Sequence, residues 1–316
     1  MQKIGVLPVL EIIAGRRALH TLVAAVLDVF PDHSGYCRAR FSDDAPDYLD
    51  RTETLAALVL AVAGPDLHDY ARDYRWMCER FLEEEVHFAR TGQYRLSTFQ
   101  QALDSVYADP GYMARYVRGI LLSQVLWVPH ARAMDVFRTR FLPSLRSGTD
   151  YLEIGPGHGL FLHFAAEREN VASLRAWDVS AASIAETRHA LATLGVSRPI
   201  ALERRDLLEG QPTRAGFDAA VISEVLEHLE RPDLALDALA SALRPGGRLF
   251  VNAPINSPAP DHIFLWRSPG EVEALVRAAG FTIDTVDLLP VTGVPLERAL
   301  RKGMSVSCVI VAERRG

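Results

Sequence analysis

Two carboxylates and an imidazole stand within five residues at Glu224-Val-Leu-Glu-His228. On a helix, Glu224, Glu227 and His228 would fall at i, i+3 and i+4, on one face. Such a set can ligate a divalent cation. Its oxygen donors favour Mg²⁺ or Mn²⁺, and the imidazole admits Fe²⁺ or Zn²⁺. Without a metal, His228, or His262 in the later Pro260-Asp-His-Ile-Phe-Leu-Trp266, could act as a general base, since imidazole titrates near neutral pH. A purely structural role for both histidines is the third reading.

A second cluster lies upstream. Tyr151-Leu-Glu-Ile-Gly-Pro-Gly-His-Gly-Leu-Phe-Leu162 reads as a short strand, a glycine-rich turn and the first turn of a helix. Gly155, Gly157 and Gly159 suit a sharp turn against which a ligand can lie. The acidic Glu153 before the turn suits a cationic, zwitterionic ligand such as S-adenosylmethionine. Asp178 follows about 25 residues later at the end of the next expected strand, facing the ligand crevice, where an acidic residue commonly binds both ribose hydroxyls. Trp177 and Val179 flank it and could pack on an adenine; a surface-loop aspartate is the plain alternative. His158, inside the turn, reads as a spacer.

These residues need a scaffold, and the hydrophobic pattern predicts one. Apolar residues at helical spacing predict helices over Ala18–Phe30, Thr52–Ala63, Tyr70–Glu85, Thr98–Tyr107 and Tyr112–Phe137, the last broken or kinked by Pro129. From Asp150 strands and helices alternate, which argues for a parallel sheet covered on both faces. Strands are expected at Leu174–Val179, Ile200–Arg205, Phe217–Ser223, Leu249–Ala253, Phe281–Leu288 and Ser305–Ala312, with a helix from Ser223 through Leu229. The chain has 316 residues, 49% of them hydrophobic, and a net charge of −6. That allows one large or two modest domains and disfavours nucleic acid as a substrate. Cys37, Cys78 and Cys308 make no disulfide or zinc pattern, so a reducing cytoplasm is expected. Glu11, Arg16 and Arg17 break up any secretion signal. The longest apolar runs, such as Leu55–Ala63, are too short to span a bilayer.

The glycine-turn string resembles motif I of the class I S-adenosylmethionine-dependent methyltransferases. Phe217-Asp-Ala-Ala-Val-Ile-Ser-Glu-Val-Leu-Glu-His-Leu229 and Leu243-Arg-Pro-Gly-Gly-Arg-Leu-Phe-Val251 resemble the fourth and fifth strand motifs of the ubiquinone-biosynthesis type of small-molecule methyltransferase. The resemblance runs from Asp150 to Ala312, about half the chain. It implies an α/β, doubly wound, seven-stranded Rossmann-like sheet at 147–316, ending in an antiparallel edge. An N-terminal α-helical domain at 1–146 would serve as lid, substrate selector or dimerisation surface for a homodimer. From that lid, Tyr116, Gln124, Trp127 and His130 could reach the site.

For the cofactor it implies contacts from Glu153, Gly155, Gly157, Gly159, Asp178, Val179, Asp206, Leu207 and Glu224. Asp206 would lie near the adenine amino group, with an ordinary helix N-cap as its plain alternative. The Glu-x-x-Glu-His string with a later histidine also resembles metal-dependent O-methyltransferases, including those that modify the terminal ribose of small RNAs. On that likeness Glu224, Glu227, His228 and His262 would hold a divalent metal (Mg, Mn, Fe or Zn). In many methyltransferases the same string only lines the pocket. The expected activity is methyl transfer to a small molecule in natural-product or cofactor biosynthesis, oxygen favoured, with no membrane involved. An RNA-modifying enzyme and a cofactor-binding cyclase or binding module are the rivals.

Overall fold

The computed structural model describes residues 7–209 and 216–316. Its second half is one sheet of seven strands: β1 (Thr149–Ile154), β2 (Val171–Asp178), β3 (Ala201–Arg204), β4 (Phe217–Ser223), β5 (Leu243–Ile255), β6 (Phe281–Pro290) and β7 (Val306–Arg314). The order is β3-β2-β1-β4-β5-β7-β6. Strands β1 to β5 pair in parallel, and β7 runs antiparallel to both β5 and β6. This is the doubly wound, seven-stranded methyltransferase sheet with its antiparallel edge. The winding reverses at β1, so the crevice beyond the ends of β1 and β4 is the switch point where ligands of such sheets bind.

Both faces of the sheet are covered, which is why its central strands read as nearly unbroken apolar runs. Side chains alternate between the two faces. Leu152 and Ile154 of β1 join Leu236, Leu239, Val272 and Val276 from the helices Pro232–Ala242 and Pro269–Ala278. Tyr151 points the other way, into a core shared with the helical first half of the chain. Phe137 from that half meets Phe161 and Phe250, and Phe141 meets Phe250, with ring centroids 4.7 to 5.5 Å apart. The helices and the sheet therefore share one continuous core.

Several expected elements are longer, shorter or split. Tyr70–Glu85 lies within a helix of 25 residues, Leu67–Thr91. The expected helix Tyr112–Phe137 is two helices, Pro110–Leu126 and Val128–Val136. Trp127 (φ −95°, ψ 129°) separates them, with Pro129 in the first turn of the second. Thr98–Tyr107 begins as a short helix, Phe99–Ala102, closed by a capping box between Thr98 and Gln101. It then widens into a π-helical turn, Leu103–Tyr107. Arg244–Gly247 bulge out of β5, and the pairing with β4 jumps from Phe217 opposite Leu243 to Ala219 opposite Arg248.

The helix Ser34–Phe41 was not anticipated. Its sequence has little amphipathic pattern because a buried position is an arginine, Arg40. That side chain is satisfied by the Val125 carbonyl, Asp44 and Tyr48. The expected helix from Ser223 through Leu229 is also corrected. Glu224 takes a left-handed conformation (φ 53°), and only Leu226–His228 form a single 3₁₀ turn. Among the described residues no helix is long and apolar enough to cross a membrane.

Candidate active site

The turn after β1 explains its glycines. Gly155, Gly157 and Gly159 sit at φ 66°, 45° and 73°, where a Cβ is strained. A Cβ on Gly155 would also lie 2.6 Å from Cγ2 of Val225. The first glycine thus lets the turn after β1 cross the turn after β4, which carries Glu224 to His228. Glu153, only 2% exposed, accepts a hydrogen bond from the Tyr151 hydroxyl at 2.8 Å. Burial pushes its carboxyl up to about 8, against the opposing effect of that hydrogen bond.

Asp178, at the end of β2, is half-buried and not a loose surface aspartate. It accepts the Ser180 N–H at 2.8 Å and the Ser183 hydroxyl at 2.5 Å. Burial nevertheless raises its pKa. Beside it Val179 is exposed, but Trp177 is not available to a ligand. Trp177 is buried edge-on against Phe217, with the Arg205 guanidinium 4.1 Å from its ring centre. Asp206 closes a turn by accepting the Leu208 N–H at 2.8 Å. Leu207 is half-buried, and the exposed Leu208 beyond it adds an apolar surface that pattern alone did not mark.

Glu227, His228 and His262 converge. Glu227 Oε1 lies 3.7 Å from Nε2 of His228 and 3.8 Å from Nε2 of His262, too far for hydrogen bonds. All three donor atoms fall within 4.8 Å of one another. Backbone bonds build this arrangement: the Glu227 carbonyl accepts the N–H groups of both Ile263 and Phe264 at 2.9 Å. That docks the loop carrying His262 onto the 3₁₀ turn.

The tautomers follow from the partners. Nδ1 of His228 meets the Asp261 carbonyl at 3.0 Å, and Nδ1 of His262 meets the Ser257 carbonyl at 2.6 Å. A carbonyl only accepts, so each Nδ1 carries the proton and each Nε2 keeps its lone pair turned toward Glu227. Burial, helped by His228, lowers His262 to about 4. That ring is neutral at neutral pH, which suits a ligand better than a base.

Glu227 is fully buried, and no N–H or hydroxyl among the described residues satisfies its carboxyl oxygens; its hydrogen-bond neighbour is the Glu224 carboxyl. Burial first, and then the neighbouring Glu224 charge, raises its pKa well above the carboxylate range. Glu224 stands behind the cluster and contributes no atom to it. Its own pKa rises to about 8 through burial, with the Asn252 amide opposing and the Asp261 charge adding.

The helical half roofs this cluster through Tyr94 and Tyr107, which had not been singled out, and through Tyr116. The Tyr94 hydroxyl accepts the Ser257 N–H at 2.9 Å, and its ring packs on His262 with centroids 5.9 Å apart. Tyr107 donates to Asp261 Oδ2 at 3.1 Å and Tyr116 to Oδ1 at 3.0 Å. Of the helix residues expected to reach the site, Tyr116 does so. Trp127 instead donates to the Tyr74 hydroxyl at 2.9 Å, and Gln124 and Ser123 bond His130. His158 accepts the Leu160 N–H at 3.2 Å and is lowered by burial to about 4.

Comparisons with known proteins bear on the domain and its fold. Residues 152–249 match the family model of a methyltransferase domain. A ubiquinone biosynthesis O-methyltransferase of Xylella fastidiosa is 40% identical over 135 residues, 40% of this chain and 53% of the relative. An uncharacterised protein of Synechococcus is 32% identical over 147 residues, 46% of this chain and 32% of the relative. The chain thus spans about half or less of the length of these curated relatives. In fold, the S-adenosylmethionine-dependent methyltransferase SibL in its apo form is similar with a TM-score of 0.53 at 15% identity, over 85% of this chain and 88% of that one. Residues 152–249 thus carry a methyltransferase domain, and the sheet with its glycine turn has the class I S-adenosylmethionine-dependent methyltransferase fold.

Proposed function

We propose that this protein transfers the methyl group of S-adenosylmethionine to a hydroxyl of a small-molecule acceptor, with Glu227, His228 and His262 holding a divalent cation. The observation that carries the reading is the convergence of two imidazole lone pairs on a buried carboxyl that no N–H or hydroxyl satisfies. Buried polar atoms are rarely left orphaned, and a cation would satisfy all three donors together. The two imidazoles favour Mn²⁺, Fe²⁺ or Zn²⁺ over Mg²⁺. Oxygen as the acceptor atom is supported by the likeness to the ubiquinone biosynthesis O-methyltransferase, over about half of that relative.

The chain's own residues divide the work. Glu153 attracts the ammonium group of the cofactor, and Asp178 takes the ribose hydroxyls in place of the Ser183 hydroxyl. Gly155 and Gly157 let the backbone approach, and Val179 and Leu207 flank the adenine. A bound divalent cation would supply Lewis acidity, lowering the pKa of the acceptor hydroxyl. Tyr94, Tyr107 and Tyr116 keep water from the reacting atoms, and the protein otherwise provides proximity and alignment.

Mass spectrometry and elemental analysis of one purified sample test this. S-adenosylhomocysteine together with a stoichiometric metal that is lost in His262→Ala is the expected result. Cofactor without a metal, even after addition of Mn²⁺, Fe²⁺ or Zn²⁺, would refute the cation and leave proton removal to His228. No measurable affinity for S-adenosylhomocysteine would overturn the proposal as a whole.

A further inference from the structure

The geometry points to Asp261 as a positioning residue for His228, held in place by Tyr107 and Tyr116, so that the helical half completes the donor cluster as well as covering it. This rests on the reading of Glu227, His228 and His262 as metal ligands. Asp261 is 2% exposed, and a carboxylate that deep is costly unless its oxygens are satisfied. No Lys or Arg ion pair serves it among the described residues; the neutral His228 ring lies beside it, with Nδ1 3.6 Å from Oδ2. Each oxygen instead accepts one phenol, Tyr107 on Oδ2 and Tyr116 on Oδ1. The two tyrosines come from separate elements of the helical half, the π-helical turn Leu103–Tyr107 and the helix Pro110–Leu126.

The consequence reaches His228 through the backbone. With its side chain pinned, Asp261 presents its carbonyl to Nδ1 of His228 at 3.0 Å, and the Tyr107 hydroxyl lies 3.3 Å from the same nitrogen. A proton fixed on Nδ1 leaves the lone pair on Nε2, the atom that faces Glu227. Partners of this kind orient a ligand ring and set its tautomer. The π turn matters because its wider winding changes the direction in which Tyr107 leaves the chain, and such turns recur at functional sites.

The test uses the full chain with Tyr107→Phe, Tyr116→Phe, the double variant and Asp261→Asn. Tyrosine-to-phenylalanine changes remove one hydroxyl each and spare the packing, so they remain foldable if Asp261→Asn does not. Three quantities are measured: Mn²⁺ affinity by electron paramagnetic resonance, the His228 ring nitrogen shifts of the metal-free protein, and its thermal midpoint. We expect the Mn²⁺ dissociation constant to rise on the order of 10- to 100-fold in the double variant. His228 should then show a mixture of Nδ1–H and Nε2–H forms, with the single variants between. A lowered thermal midpoint with an unchanged His228 tautomer and unchanged Mn²⁺ affinity would reduce the phenols to structural ties and overturn the inference. If the wild-type protein binds no Mn²⁺, Fe²⁺ or Zn²⁺, the metal reading falls. The tautomer measurement, which needs no metal, then decides alone whether Asp261 positions the ring.

Discussion

Glu153 should make cofactor binding pH-dependent. Its carboxyl is raised from an ordinary 4.5 to about 8 by burial, so in the free protein it is protonated below that pH. An ammonium group placed against it needs the carboxylate, and binding below pH 8 must therefore expel a proton. Each pH unit below 8 then costs about 1.4 kcal/mol, tenfold in affinity. Between pH 9 and pH 6 the dissociation constant of S-adenosylhomocysteine should rise roughly 100-fold.

Calorimetric titration in two buffers of different ionisation enthalpy would read both the affinity and the proton released. Glu153→Gln should flatten the pH slope and weaken binding at pH 9 by about 1.5 to 3 kcal/mol, the worth of a charge-assisted contact. The same raised pKa has a second signature in the free protein. A carboxyl whose folded pKa exceeds its unfolded one contributes stability that is present at low pH and lost as pH rises through 8, here up to about 5 kcal/mol. An affinity that is flat from pH 6 to 9, or a slope that survives Glu153→Gln, would refute the assignment of this carboxyl to the cofactor.

Three further outcomes follow from the packing. Gly155→Ala combines a left-handed backbone with a contact 2.6 Å from Val225. It should cost about 1 to 3 kcal/mol in denaturant unfolding and weaken S-adenosylhomocysteine binding; Val225→Ala in the same chain should recover only part of the loss. Arg40→Met leaves Asp44 paired with Arg132 alone and removes the bond to the Val125 carbonyl. A loss of about 3 to 5 kcal/mol is expected, and one under 1 would show that Arg132 suffices. Phe250→Ala empties the meeting point of Phe137, Phe141 and Phe161. It should cost about 3 to 5 kcal/mol, read as a lower denaturant midpoint with one transition throughout.

What the sequence disclosed follows from how local each signal is. The turn after β1 was legible because three left-handed positions call for three glycines, and the buried parallel strands because they need unbroken apolar runs. Glu224-Val-Leu-Glu-His228 misled because its letters suit a helix. The left-handed Glu224 that breaks it is imposed by neighbours such as Asn252, whose carbonyl accepts the Glu224 N–H at 2.9 Å. His262 nevertheless reaches Glu227 and His228, by a route through the Glu227 carbonyl that no local pattern records. The helix Ser34–Phe41 escaped notice because its buried arginine looks like a surface residue until Asp44, Tyr48 and Val125 stand around it. Tyr107 and Tyr116 lie 154 and 145 positions before Asp261, and nothing in either segment announces the partner.

The aromatic junction of Phe137, Phe141, Phe161 and Phe250 bears on whether the helical half can be exchanged among such proteins. A cap joined by a hinge could be swapped as a cassette. Here a cut before Thr149 would part Phe137 and Phe141 from the sheet residues they rest on, leaving each fragment with a greasy scar. A chimera would therefore have to carry matching changes at Phe161 and Phe250, inside the sheet half itself. The roof over Glu227, His228 and His262 is more easily altered by point changes than by transplanting it.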